Sequence, residues 1–271
     1  MPVNWGIETR KWQVLVQHVQ RFSFFSAFKS VLSGCSITML TPNRVGEYAG
    51  RVLNLEEGNR IKAISLTIAG SISQLLVTML MGCGGLFFLR YFSHNQAGGL
   101  SVLPEFWGQV LIYTSVTFTI VLLLFYSRLG WLVSRIEKVP AFSRVVKHIS
   151  VLDEFDYTKL ARILSLSFFR YLVFMIQYIL LLEVMQVEIE VMTCFWLISV
   201  FYLAMAMAPT IGFIELPVRV TASWAILKYY TANELGVGAA ALGIWLINLV
   251  LPAIIGSLMI LGTKIVKEKN D

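Results

Sequence analysis

The sequence predicts an all-α, multi-pass integral membrane protein, and three observations support this fold class. Of the 271 residues, 57% are apolar and only 14% are charged, whereas about 25% are charged in a typical soluble domain. Four stretches carry no charge and are each longer than the roughly 20 residues that a helix needs to cross a bilayer. These stretches lack the strict polar/apolar alternation of a membrane β-barrel, so the spans are expected to be helices.

About five full spans are predicted. Four of them are the uncharged stretches, and the fifth is interrupted only by Arg170. A charge near the middle of a span should face other helices or water instead of acyl chains. The predicted spans cover about 63–89, 106–127, 163–182, 191–209 and 235–263.

The segment 1–30 is expected to be an amphipathic lead-in that precedes a single transmembrane domain over 31–271. Trp5 and Trp12 are seven residues apart and share a helical face, while charged residues such as Lys11 lie between the apolar ones. This pattern is typical of a helix at the cytoplasmic interface of a membrane. An ordinary cytoplasmic lead-in explains the pattern equally well.

Positive charges are sorted between alternate connections. Of the 22 Lys and Arg residues, eight lie in 1–62, seven in 128–162 and three in 264–271, whereas 90–105 holds one and 183–190 none. This positive-inside pattern places both termini and the 128–162 loop in the cytoplasm, in a cell (inner, cytoplasmic) membrane. The basic composition therefore favours membrane lipids with anionic head groups as partners, and it argues against nucleic acid.

A first broken helix pair is predicted at about 31–60. The apolar stretch 31–39 is too short to cross a membrane and leads into Pro42, which cannot donate a backbone hydrogen bond. Gly46 is expected to relax the backbone further. Glu47 and Arg51 then follow four residues apart, so they share one helical face and can pair.

A second broken pair is predicted at about 205–230, where Glu215 and Arg219 are again four residues apart. Three residues are expected to interrupt this helix: Pro209, Gly212 and Pro217. The first break is approached from the basic side and the second from the acidic side. Two re-entrant pairs of opposite direction predict an inverted repeat, with a site at the interface between the repeats.

The charges at the breaks have two interpretations. They are structural clips that close the broken helices, or they line a polar cavity that holds a charged head group. Arginine suits the second interpretation because its planar guanidinium binds phosphate through two donors. The candidate substrate-binding residues are Arg44, Glu47, Arg51, Arg170, Glu215 and Arg219.

No catalytic, cofactor or metal motif is evident in the sequence. The three cysteines and three histidines have unrelated spacings, and no Gly-rich phosphate loop or nucleophile elbow is present. We therefore expect no cofactor, no metal and no enzymatic activity.

The first break resembles a motif of the transmembrane, flippase-like region of lysylphosphatidylglycerol synthases, a region also found alone in many bacterial and archaeal proteins. The shared pattern is Pro-x-Arg-x-Gly-Glu with a later Arg, here Pro42, Arg44, Gly46, Glu47 and Arg51. The second break adds a later Pro, Gly and Glu. Family members commonly begin with one or two further spans, so either a helix has been lost or Met1 is an internal start.

The resemblance implies movement of a phospholipid or lipid-linked substrate between leaflets, without the soluble domain that carries the family's synthetic step. A non-transporting scaffold or accessory subunit of a lipid or envelope-biosynthesis complex stays open as the alternative. A third class, an intramembrane transferase, would turn over head groups instead of relocating them. A homo-oligomer and a partner membrane protein are both compatible with the sequence.

Overall fold

A computed structural model of the protein describes residues 1–17, 19–39, 41, 45–92, 105–128, 156–208 and 214–268. In this part of the chain every regular element is a helix. The α-helices in chain order are α1 (Pro2–Val16), α2 (Phe24–Thr38), α3 (Val45–Val52), α4 (Arg60–Tyr91), α5 (Glu105–Ser127), α6 (Tyr157–Val184), α7 (Val191–Met207), α8 (Glu215–Leu227), α9 (Glu234–Trp245) and α10 (Leu251–Glu268). A π-helical turn, Leu246–Val250, joins α9 to α10.

Four helices are long and apolar enough to cross a membrane, which confirms four of the five predicted spans by length and composition. They are Glu57–Tyr91, Glu105–Ser127, Tyr157–Val184 and Glu234–Gly262. The remaining predicted span, 191–209, corresponds to α7, an apolar helix of only 17 residues. The protein is thus an α-helical integral membrane protein, and its fifth span stays a prediction.

Helix α1 lies inside the bundle, where it packs against α2, α4 and α6. The side chains of Trp12 and Leu15 are fully buried, and Glu8 and Lys11 are each only 2% exposed. The interfacial position expected for 1–30 stays a prediction, but the charged face of α1 is covered by other helices. This charged face does not require water, because Glu8 meets Arg51 of α3 and Arg170 of α6, and Lys11 pairs with Glu8.

Helices α2 and α3 form a tightly packed antiparallel pair, and glycine permits their close approach. A Cβ atom at Gly46 would lie 2.5 Å from the carbonyl oxygen of Ile37, and one at Gly50 would collide with the backbone of Ser33 and Gly34. Helix α10 also packs against α2, where a Cβ atom at Gly256 would overlap the carbonyl oxygen of Leu32. The predicted helix pair is therefore present, while its re-entrant placement in a bilayer stays a prediction.

The second predicted pair, α7 and α8, is packed differently. Helix α7 lies against α4, where a Cβ atom at Gly85 would come within 2.8 Å of the carbonyl oxygen of Trp196. Helix α8 contacts both α7 and α9, and it is tied to α6 by a hydrogen bond of 2.6 Å between the hydroxyls of Ser223 and Tyr178. In both halves of the chain, α1–α5 and α6–α10, a predicted broken helix pair follows the first helix. The helices that pack against the two pairs differ.

Candidate functional site

Glu8 is the centre of a buried ion cluster that joins three helices. Its Oε2 atom lies 2.9 Å from Nζ of Lys11 on α1 and 2.8 Å from Nη1 of Arg170 on α6. Its Oε1 atom accepts a hydrogen bond of 2.5 Å from Nη2 of Arg51 on α3. One carboxylate thus holds together cations from α1, α3 and α6.

Arg51 is shared between two carboxylates. Besides Glu8 it pairs with Glu47 one helical turn earlier, as the sequence spacing predicts. The guanidinium also lies 5.5 Å from the ring centroid of Trp12. Arg51 is only 3% exposed, whereas the Glu47 side chain is 23% exposed, so Glu47 is the more accessible member of this pair.

Burial and neighbouring charges shift the pKa values of Glu8 and Lys11 on α1, a helix that lies outside the four candidate spans. Burial opposes ionisation of Glu8, but Arg170, Lys11 and Arg51 together hold the pKa of its carboxyl well below the usual range. For Lys11, burial lowers the pKa to about 8, although the Glu8 carboxylate partly opposes this shift. Glu8 is therefore an anion at neutral pH, and Lys11 is a cation that loses its proton more easily than an ordinary lysine.

A chain of amide side chains positions Arg170. Its Nε atom donates a hydrogen bond of 2.9 Å to Oδ1 of Asn4, and Nδ2 of Asn4 donates to Oδ1 of Asn248 at 2.9 Å. Asn248 in turn donates to Oε1 of Gln177 at 3.1 Å. Asn248 lies in the π-helical turn, and such turns occur frequently at functional sites.

The second acidic and basic pair is also buried. Oε1 of Glu215 accepts hydrogen bonds from Nε and Nη2 of Arg219, at 2.8 Å and 2.6 Å. The residues are 4% and 9% exposed. Both lie in the first two turns of α8, which directly follows the second predicted break.

A single cavity of about 650 Å³ connects the ion cluster around Glu8 with the pair on α8. Charged side chains from both halves of the chain line it, together with an aromatic and apolar wall. The charged lining residues are Glu8, Lys11, Glu47, Arg170, Glu215 and Arg219. The wall includes Trp5, Tyr171, Phe174, Tyr202 and Trp245. Charged groups beside apolar rings suit an amphipathic ligand.

Most of the predicted site residues meet at this cavity. Glu47, Arg170, Glu215 and Arg219 line it, and Arg51 contacts two lining residues through its pairs with Glu8 and Glu47. Four other predicted residues lie outside the described part of the chain: Pro42, Arg44, Pro209 and Gly212. Within the described residues, no group of three or more His, Cys, Asp or Glu side chains is placed to hold a metal ion.

Two of the residues predicted to break helices lie in the first turns of helices. Pro217 is the third residue of α8, where the N–H that proline lacks has no partner within the helix. Gly46 lies in the first turn of α3, where its N–H donates a hydrogen bond of 2.7 Å to Oγ1 of Thr41. Pro217 is therefore compatible with the first turn of α8, and the absence of a side chain at Gly46 permits the contact with α2.

Sequence reasoning missed the residues that complete the site on α1. Asn4, Glu8 and Lys11 follow one another at spacings of four and three residues, so they share one helical face. In the sequence of α1 alone, this polar face has the same appearance as a helix face exposed to solvent. Asn248 and Gln177 could also have indicated the site, because amide side chains inside apolar spans require hydrogen-bond partners.

No protein-family model, curated protein or solved structure matches the chain. The resemblance to the flippase-like region of lysylphosphatidylglycerol synthases thus rests on the sequence motif alone.

Proposed function

We propose that the protein moves a phospholipid or lipid-linked substrate with an anionic head group between the two leaflets of a cell membrane. The observation that carries this proposal is the single cavity lined by charged residues from both predicted breaks. Its volume of about 650 Å³ lies within the range of roughly 300–1,000 Å³ found for ligand pockets. A head group can occupy the charged part while the acyl chains contact the apolar wall.

The residues assigned to the head group are those that line or support this cavity. Arg170, Glu47, Glu215 and Arg219 provide charge at its surface, and Arg51 fixes Glu47 through their ion pair. Arg44 is assigned to the entrance on the basis of its motif alone. Burying charged groups in a bundle surrounded by lipid costs free energy, and such groups commonly mark the pathway of a substrate or ion. Their presence here supports a polar path through the cavity.

The scaffold alternative is favoured by a different observation. Arg51 and Arg219 both form ion pairs with carboxylates of the same chain, and both are buried from solvent. Pairs of this kind also serve as structural clips between broken helices. On this alternative, neutralising a charge reduces stability or partner binding, and no lipid moves.

Transport is tested by reconstituting the purified protein in liposomes that contain a fluorescent anionic phospholipid. The fraction of lipid reaching the outer leaflet is measured by quenching from outside. Glu47→Gln is the sharpest variant, because Glu47 lines the cavity and is the most accessible carboxylate of the ion cluster. We expect it to lower the rate about tenfold, because the charge-assisted contact that holds Glu47 and Arg51 in place is lost, and such a contact contributes about 1.5–3 kcal/mol.

Glu105→Gln is the matched control, because the Glu105 side chain is 73% exposed and pairs with Arg90 at the far end of α4. It should transport like the unmodified protein. Wild-type liposomes that move no lipid, with the protein folded and inserted, would exclude transport and favour the scaffold. Turnover of head groups in place of their relocation would indicate a transferase.

A further inference from the structure

The ion cluster around Glu8 carries more positive than negative charge. Within the described part of the chain, Lys11, Arg51 and Arg170 are three cations, and only Glu8 and Glu47 are carboxylates in contact with them. Burial makes an unbalanced charge unfavourable unless a counter-charge is close. The cluster therefore favours one further anion.

Trp5 places a hydrogen-bond donor beside this excess charge. Its side chain is 5% exposed and lines the cavity, and its indole Nε1 has no acceptor among the described residues. The guanidinium of Arg170 lies 5.9 Å from the centroid of the Trp5 ring system. Buried N–H groups without an acceptor are uncommon in folded proteins, so this donor indicates a ligand that accepts hydrogen bonds.

Arg170 reaches the cavity with donors to spare. Its Nε binds Asn4 and its Nη1 pairs with Glu8, while Nη2 carries two N–H groups that neither contact uses. The Arg170 side chain is 13% exposed and lines the cavity. Because Asn4 and Glu8 fix the guanidinium from two directions, it is held in place before a ligand arrives.

We infer that the end of the cavity formed by Trp5, Lys11 and Arg170 is a binding site for a phosphate-type anion. The guanidinium and the indole N–H donate to phosphate oxygens, and Lys11 supplies additional positive charge. Carboxylates elsewhere in the cavity do not cancel this preference, since Glu47 is paired with Arg51 and Glu215 with Arg219. The phosphate belongs either to a lipid head group or to a free ion.

This inference rests on the proposed function in treating the cavity as the path of a substrate, and it names the chemistry that the path recognises. Binding is measured by calorimetry on the full chain, purified in uncharged detergent. The probes are inorganic phosphate, short-chain phosphatidylglycerol and the diacylglycerol with the same acyl chains. We expect saturable binding of a phosphate-bearing probe and none of the diacylglycerol.

Two variants locate the site. Arg170→Gln should weaken binding about tenfold, because a charge-assisted hydrogen bond is lost, and Trp5→Phe about fivefold, because a neutral one is lost. The matched controls are Arg90→Gln and Trp107→Phe, which change the same residue types at the exposed ends of α4 and α5. Gel filtration and thermal melting show which variants are folded. Trp5→Phe keeps the test valid where Arg170→Gln does not fold.

Each outcome decides the inference. Binding of both phosphate probes assigns the site to phosphate itself, and binding of phosphatidylglycerol alone assigns it to a lipid head group. Equal binding of the diacylglycerol, no binding of either phosphate probe, or affinity unchanged in Trp5→Phe overturns it. A protein that binds phosphate without moving lipid refutes transport alone, whereas one that moves lipid without binding either phosphate probe refutes this site alone.

Discussion

Arg170, in the middle of a candidate span, is paired with Glu8 of the first helix at 2.8 Å. The two side chains are 13% and 2% exposed, respectively. Arg170 is the only charged residue in 163–182, and its counter-charge comes from a segment that is not itself long enough to cross the membrane. Helix α1 is therefore an internal part of the bundle, and the ion cluster depends on it.

Glu8→Gln is expected to destabilise the protein strongly. The change leaves Lys11, Arg51 and Arg170 close together without the carboxylate that joins them, and breaking a buried ion pair on one side costs roughly 3–5 kcal/mol. Thermal melting in detergent, or unfolding by a denaturing detergent, measures the loss. Glu57→Gln is the control, because the Glu57 side chain is 91% exposed and its partner Arg60 is 3.6 Å away. Equal stability of the two variants would show that the cluster does not hold the bundle together.

Gly256→Ala is expected to separate α10 from α2. A Cβ atom at this position overlaps the carbonyl oxygen of Leu32, so the backbones must move apart, and overpacking of this kind typically costs about 1–3 kcal/mol. The matched control is Gly262→Ala on the same helix, where a Cβ atom meets nothing within 4 Å. The difference between the two melting temperatures is the measurement. A control as unstable as Gly256→Ala would point to membrane insertion in place of packing, because alanine has a higher helix propensity than glycine.

The topology is expected to place Glu188 outside the cell and Lys147 inside. Glu188 is exposed in the short connection between α6 and α7, which carries two glutamates and no Lys or Arg. A compartment-sensitive reporter fused at each position measures this directly. The reverse result would invalidate the positive-inside assignment, and with it the opposite directions of the two predicted breaks.

The spans were the part of the fold that the sequence predicted most directly. Their signal is local, because a run of more than twenty uncharged and mostly apolar residues, such as the one after Lys62, is recognised without information about neighbouring segments. The two Glu/Arg pairs were also predictable, since a spacing of four residues alone brings Glu47 to Arg51 and Glu215 to Arg219. The helical pairing observed in the structure agrees with both spacings.

The role of α1 was not predictable in the same way. Whether Glu8 faces water or Arg170 depends on a contact between segments far apart in the chain, and no helical pattern encodes that contact. The charged stripe of α1 therefore has the same appearance as the solvated face of a surface helix. Likewise, Gly46 is a helix breaker by propensity, and only the packing of α2 shows that its absent side chain matters more than its flexibility.

Binding of a phosphodiester probe is expected to weaken as the pH rises through about 8. Burial lowers the pKa of Lys11 to about 8, so Lys11 is charged below this pH and neutral above it. Once Lys11 is neutral, the carboxylates of Glu8 and Glu47 balance the guanidiniums of Arg51 and Arg170, so the excess positive charge of the cluster disappears. Short-chain phosphatidylglycerol is the suitable probe because its phosphodiester does not titrate in this range. Lys11→Met should bind weakly at all these pH values, and a variant that retains the wild-type pH dependence would show that another group controls it.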